Sequence, residues 1–427
     1  MGILSWIKDY FRDIRKSFSN TFKSVVLTAH FWVLLVSVAL MITMGIMIFN
    51  TLNDRRDQNM GKVWQNDGKI SYRQMSVFAK GNKKDVYAPP VSLGQSESLT
   101  LEEDSLVAMR TQLQSTVDSG KTVARKKNSK FKPSGWEDCY STTFRAQGCY
   151  TKVAEINGVT RTANMDIDAE IVAVGGNFAA FHPFEYVSGG FLPVEPVDEN
   201  QIVINDELSW KLFKSYDVTG LRIELWGEDF TIIGVVREKK NSIDQITGAS
   251  KERIFCYFSK IDSLNSKGYF LGENAGAGEG EEGLPNSAIA TPLAITCYEA
   301  FLPEIVKGVA KNDVLNALPS YNISDPQFRI VSNTGRFRVD NVYDFNMPIG
   351  EFQSKTSAFE FPYWEKAAIL ATQRLFLMEI GMLIGIFLFL VGIIIMILRL
   401  RKPGGKFDKI EKITEEDEIE DVAIQMS

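Results

Sequence analysis

Few side chains in this 427-residue sequence could do chemistry on their own. There are two histidines, His30 and His182, and four cysteines, Cys139, Cys149, Cys256 and Cys297. His30 borders an apolar run and His182 sits in Phe-His-Pro-Phe. No His-Glu-x-x-His, Gly-x-Ser-x-Gly, zinc spacing or Walker sequence occurs. The run "GAGEGEEG" is glycine-rich, but it lacks the lysine and Ser/Thr of a phosphate loop, and its carboxylates would repel phosphate. Its acids also lack the Asp-x-Asp spacing of a calcium loop. No catalytic, cofactor-binding or metal-binding residue is therefore expected, and the chain is not expected to be an enzyme.

The cysteines carry the remaining chemical signal. All four fall between two long apolar runs, as an oxidising compartment would permit. Four cysteines allow three pairings. Cys139 with Cys149 is the most local, and closing that loop would contribute roughly 2–3 kcal/mol. Cys256 with Cys297 is then the other pair. The competing reading is buried free thiols that act as small hydrophobes.

The apolar runs dominate the organisation. They span Phe31 to Phe49 and Leu375 to Leu398. Each has roughly the 20 residues that cross a bilayer as a helix. Lys8, Arg12, Arg15, Lys16 and Lys23 precede the first run, and Arg399, Arg401, Lys402, Lys406 and Lys409 follow the second. Positive flanks stay cytoplasmic, so both termini are expected inside and the long middle segment outside the cell membrane. The first run has no small-x-small cleavage site after it, and it reads as an uncleaved anchor. In the second run, Glu379 lies about one turn from the outer end, where a carboxylate can snorkel. Gly381 and Gly385 form a Gly-x-x-x-Gly face that admits a close helix partner.

These features divide the chain into expected regions. Residues 1–25 form a basic amphipathic helix, with Ile3, Ile7, Tyr10, Ile14, Phe18 and Phe22 on one face. Residues 26–49 and 375–398 are the two transmembrane helices. Residues 50–374 form the extracytoplasmic domain, and 399–427 an acidic cytoplasmic tail. Net charge is -6, which argues against a nucleic-acid partner. Hydrophobic content of 45% with 23% charged residues fits a folded domain of ordinary composition between the spans.

Within the middle segment, Ile70–Ala79 reads as a strand. Ser98–Gly120 reads as a helix, with a Thr100–Glu103 capping box and a glycine stop at Gly120. Lys152–Gly176 reads as strands around an Asn-Gly turn. Ile204–Glu238 reads as a helix followed by a hairpin. Asn205 or Asp206 caps the helix, Leu208, Leu212 and Phe213 give its apolar face, and Gly220 marks the turn out. In the hairpin, Phe230, Ile232 and Gly234 alternate with Thr231, Ile233 and Val235 about a "GED" turn. The fold class is thus α+β, between two transmembrane helices.

That last stretch, with Val203, Leu212, Phe213, Val218, Gly220, Phe230, Ile232, Gly234 and Val235, resembles the MacB-like periplasmic core domain of ABC transporter permeases. "ISYRQMSVFA", "LTLEEDSLVAM" and "VGGNFAAFHPFEYVSGGFL" look like the elements that precede it in that family. "ITCYEAFLP" and "FPYWEKAA" look like the two-span form found in Gram-positive bacteria. The resemblance implies a discontinuous membrane-proximal part and a smaller inserted part at about residues 195–290. Leu212, Phe213, Gly220, Phe230 and Gly234 would define the fold. It also implies a permease-like subunit that couples ATP hydrolysis by a separate cytoplasmic ABC ATPase to motion outside. The usual permease has two further spans, so a second permease-like subunit, or self-association through the transmembrane helices, is the expected complement. A second reading keeps the fold as a membrane-anchored binding or sensing module without transport.

Overall fold

A computed structural model of the chain describes residues 29–64, 71–81, 86–92, 100–126, 135–146, 151–156, 159–163, 168–238, 241–248, 251–270, 291–304, 306, 308–319, 328–346 and 359–400. The amphipathic helix expected at 1–25, the acidic loop, the acidic tail and Cys149 lie outside these residues. The chain divides into two compact units, Leu52–Arg374 and the paired segments Met1–Thr51 and Leu375–Ser427.

The order begins with helix α1 (Ala29–Asp54), short α2 (Met60–Val63), β1 (Ser71–Ala79), α3 (Glu103–Lys126), β2 (Glu137–Ala146), β3 (Thr151–Ile156), β4 (Val159–Ala163) and β5 (Ala169–Gly176). It continues with α4 (Phe178–Phe181), β6 (Glu185–Gly189), β7 (Gln201–Asn205), α5 (Asp206–Phe213), β8 (Arg222–Leu225), β9 (Glu228–Arg237), α6 (Ser242–Thr247) and β10 (Arg253–Tyr257). The last elements are α7 (Phe258–Ser266), β11 (Cys297–Glu304), α8 (Val309–Ala317), β12 (Phe328–Ser332), α9 (Val339–Asn346) and α10 (Tyr363–Leu400).

One ten-stranded sheet organises the larger unit, in the order β12-β1-β11-β2-β5-β10-β7-β9-β6, with β8 also on β9. Among the described residues, only β5–β10 and β7–β9 pair in parallel. Alternate strand residues point to opposite faces, so the sheet separates two cores. Met75, Val77, Ile171, Ala173, Ile254 and Tyr298 join one core, against Leu106 and Met109 of α3, Leu208 of α5, Ile261 of α7 and Val314 of α8. Tyr72, Phe78, Val172, Val174, Phe255 and Phe301 join the other, against Phe178 and Phe181 of α4 and Trp364 of α10. The second face thus receives the segments that lead from α1 and into α10.

The helix–hairpin stretch forms much as its residues suggest. Asn205 caps α5 by accepting from the Leu208 N–H at 3.1 Å. Leu212 and Phe230 are buried, and Phe213 packs against the same core. The hairpin turn falls at Trp226 and Gly227, whose positive φ values of 52° and 73° match the twist of a two-residue turn. Strict alternation ends at Ile233, where β9 is bulged against β7. The extra residue turns Val235 towards the first core and Val236 towards the second. Gly234 is needed there, because an added Cβ would lie 1.9 Å from the Gly190 carbonyl oxygen.

Two other expectations are corrected. Helix α3 begins at Glu103 and runs past Gly120 to Lys126. Leu101 is instead tied to Ile295 by a β-bridge, so Thr100 bonds Ser92 and no Thr100–Glu103 box forms. The Ser105 hydroxyl accepts from the Glu102 N–H at 2.7 Å in its place. A glycine inside a helix costs only about 1 kcal/mol, which the surrounding helix formers outweigh.

In the smaller unit, the two long helices are apolar enough to cross a membrane. Gly381 and Gly385 face Met44 and Met41 of α1, where added Cβ atoms would lie 3.1 and 2.9 Å from side-chain atoms. The Gly-x-x-x-Gly face is therefore occupied by the chain's own first span. The Glu379 Oε2 atom is buried without a hydrogen-bond partner among the described residues.

Gly234→Ala is expected to destabilise the full-length protein by at least about 3 kcal/mol, since the collision is with backbone that cannot turn aside. Gly220→Asn places a side chain at φ 85° in open space and should cost only about 1 kcal/mol. Chemical unfolding of the two variants in detergent checks the ranking.

Candidate functional site

Charged groups are concentrated on the second face of the sheet, where they hold the segments that adjoin the spans. Arg55 follows α1 directly. Its side chain is 2% exposed and forms an ion pair with Asp244 of α6. Asn241 caps α6, accepting from the N–H groups of Ile243 and Asp244, and so fixes the carboxylate that meets Arg55.

The start of α10 is held more heavily. Arg253 on β10 is fully buried and pairs with Glu238 and Glu170. It also donates to the Gly248 carbonyl at 2.9 Å. Its guanidinium carbon lies 3.6 Å from the centre of the Tyr363 ring, a cation–π contact in a dry setting. Burial pulls the Arg253 pKa down, but Glu238, Tyr363 and Glu170 outweigh it and leave it raised. Burial pushes the Glu238 carboxyl up, while Arg253 and a hydrogen bond from Tyr363 pull the other way. Two residues on, Glu365 takes a bidentate pair from Arg336 at 2.7 and 2.8 Å. Between them, Trp364 packs edge-on to Phe178 at 5.6 Å and lies 4.6 Å from the His182 ring.

A cavity of about 340 Å³ opens among these groups, lined by Arg55, His182, Glu238, Asp244, Tyr363 and Trp364, with others. Behind His182 lies Glu299 of β11, whose Oε2 sits 2.5 Å from the imidazole Nε2. The Ser76 hydroxyl donates to the other carboxylate oxygen at 2.6 Å, and Asn333 donates to that hydroxyl at 2.6 Å. Cys139 of β2 completes the cluster.

The expected disulfides do not hold. Cys139, Cys256 and Cys297 are buried free thiols. Cys256 faces the first core while Cys139 and Cys297 face the second, so the sheet itself keeps Cys256 from Cys297. Burial, with Glu299 nearby, pushes the Cys139 and Cys297 thiols well up, which makes them poor nucleophiles. The arrangement binds helix ends to a sheet beside an open cavity lined by charged and aromatic side chains.

Sequence reasoning missed most of this site. None of Arg55, Arg253, Glu238, Asp244, Arg336 and Glu365 is singled out there as a site residue. Arg55 and Asp244 are 189 residues apart, so no local spacing connects them. The available signal was His182 within an aromatic run and the charge of "FPYWEK" in front of a span.

A mixed sheet domain flanked by two apolar helices defines a membrane protein with an extracytoplasmic domain. The sequence profile of the MacB-like periplasmic core domain matches residues 34–260, more than half of the chain, and the chain belongs to that family. Among solved structures, it is similar to the periplasmic region of MacB from Actinobacillus actinomycetemcomitans, at 13% identity and a TM-score of 0.31, covering 64% of this chain and 94% of that one. It is also similar to the extracellular domain of the noncanonic ABC-type transporter YknZ from Gram-positive bacteria, at 9% identity and a TM-score of 0.32, covering 61% of this chain and 100% of that one. No curated protein matches it.

Glu365→Ala removes the bidentate acceptor from the buried Arg336 guanidinium and should cost about 3–5 kcal/mol. The double variant Glu365→Leu, Arg336→Leu should recover more than half of that loss, because the two paired charges are removed together. Unfolding of the full chain in detergent measures both.

Proposed function

We propose that this chain is a permease-like membrane subunit of an ABC-type transporter complex. A separate cytoplasmic ATPase hydrolyses ATP, the spans move, and the extracytoplasmic domain moves with them to export or release a substrate. Family membership supports the transporter class. The mechanical part rests on one observation: both segments that adjoin the spans are tied to the domain by buried ion pairs, Arg55 with Asp244 of α6 and Glu365 with Arg336 after β12. Buried pairs of this kind are costly to break singly, so each tie resists the helix end pulling free.

The cationic flanks support cytoplasmic termini, which places the ATPase contact at the inner ends of α1 and α10. Because α1 fills the glycine face of α10, a second permease-like subunit would meet other faces of the two helices. Transmission of this type needs two discrete arrangements that nucleotide state selects between.

Purification of the full-length protein from its native membrane in mild detergent, with and without a non-hydrolysable ATP analogue, is expected to recover a nucleotide-binding subunit. Recovery of no ATPase under either condition, with an extracellular ligand or cell-wall partner bound instead, would favour the anchored binding module and overturn this reading.

A further inference from the structure

We propose that Cys139, His182 and Glu299 form a binding site for a borderline-soft divalent cation, of which Zn²⁺ is the representative. One ligand atom from each residue lies within 4.8 Å of the other two, and all three residues are buried. They come from separate elements: β2, the segment after α4, and β11. A thiolate, an imidazole and a carboxylate together select zinc-like ions over the harder magnesium or calcium.

Three further features make this a built site. Glu299 is oriented by its own support, since Ser76 holds Oε1 and Asn333 holds Ser76, leaving Oε2 towards the imidazole. Such outer contacts characteristically orient a metal-ligating carboxylate. His182 also lines the 340 Å³ cavity, which brings the edge of the cluster to within one side chain of it. Finally, the three ligand atoms, all within 4.8 Å of one another, bracket the span a tetrahedral ion requires. Bonds of about 2.0 Å to nitrogen and oxygen and 2.3 Å to sulfur put tetrahedral ligands about 3.3–3.5 Å apart. The Nε2–Oε2 distance of 2.5 Å would open by under an ångström. Ion binding displaces the thiol proton to solvent and moves the proton shared by Nε2 of His182 and Oε2 of Glu299 to Nδ1 or to solvent, as the metal bonds form with no change in oxidation state.

The three ligands leave a fourth position for water. The ion would pin β2 and β11 to the His182 segment. That segment packs on Trp364 at the head of α10, so metal occupancy would stiffen the mount of the second span.

The test uses tag-free full-length protein in detergent, stripped with chelator and titrated with Co²⁺. One equivalent is expected to bind, with a thiolate-to-cobalt charge-transfer band that Zn²⁺ abolishes. Cys139→Ser should lose the band, while Cys256→Ser, which changes the buried thiol on the opposite face, should keep it. Ser76→Ala should keep the band and weaken affinity about tenfold or more. Absence of saturable one-to-one binding in the folded wild-type protein would overturn the proposal, as would a band that survives Cys139→Ser. The readout requires no ATPase, so it stands or fails apart from the transporter reading.

Discussion

A guanidinium can be held in a dry protein interior only if its charge is answered on every side. Arg253 is fully buried, and Glu238, Glu170, the Gly248 carbonyl and the Tyr363 ring surround it. Each of these comes from a different element. The requirement to satisfy one charge therefore gathers β5, the end of β9, the loop after α6 and the start of α10 at one place. Breaking that set exposes a charge to an apolar surrounding, and this cost is what keeps the head of α10 against the sheet.

The sheet explains why the site lies where it does. Its first face is a conventional packing surface under α3, α5, α7 and α8. Its second face carries the aromatic cluster of Phe178, Phe184, Phe191 and Phe255, with Trp364 among them. Aromatic packing supplies area, and the ion pairs supply position. Arg55, Arg253, Arg336 and the His182–Glu299 pair all line this second layer, beside the chain's connections to α1 and α10. Buried charge is gathered where the chain enters and leaves the domain, while the first face carries pairs such as Arg110–Asp138 and Lys260–Glu228 at its margin.

Local patterns made some of this legible in advance. The spans, β1, α5 and the β8–β9 hairpin follow from runs, periodicity and a cap within a few residues of one another. Gly234 stood out by pattern, and its reason emerged only with Gly190 opposite it. The bulge at Ile233 was hidden, because its effect on facing depends on β7. The spacing of Gly381 and Gly385 was visible in the sequence, whereas Met44 and Met41 of α1, which lie against them, were not singled out. The disulfide expectation failed because sequence position does not say which face of a sheet a cysteine occupies. The ion pairs were invisible for the same reason: Arg336 and Glu365, or Arg55 and Asp244, meet only once the whole sheet has formed.

If force passes from the spans to the domain, the head of α10 and the sheet must behave as one body. Spin labels at Lys366→Cys on α10 and Gln112→Cys on α3, in a Cys149→Ser background, report that distance by pulsed electron resonance. Both sites are exposed, and both lie in the same compact unit. The account predicts a single narrow distance in lipid, unchanged when the ATPase partner and ATP are added. A second distance, or a shift on ATP binding, would show that the helix head leaves its mount and would contradict the central claim.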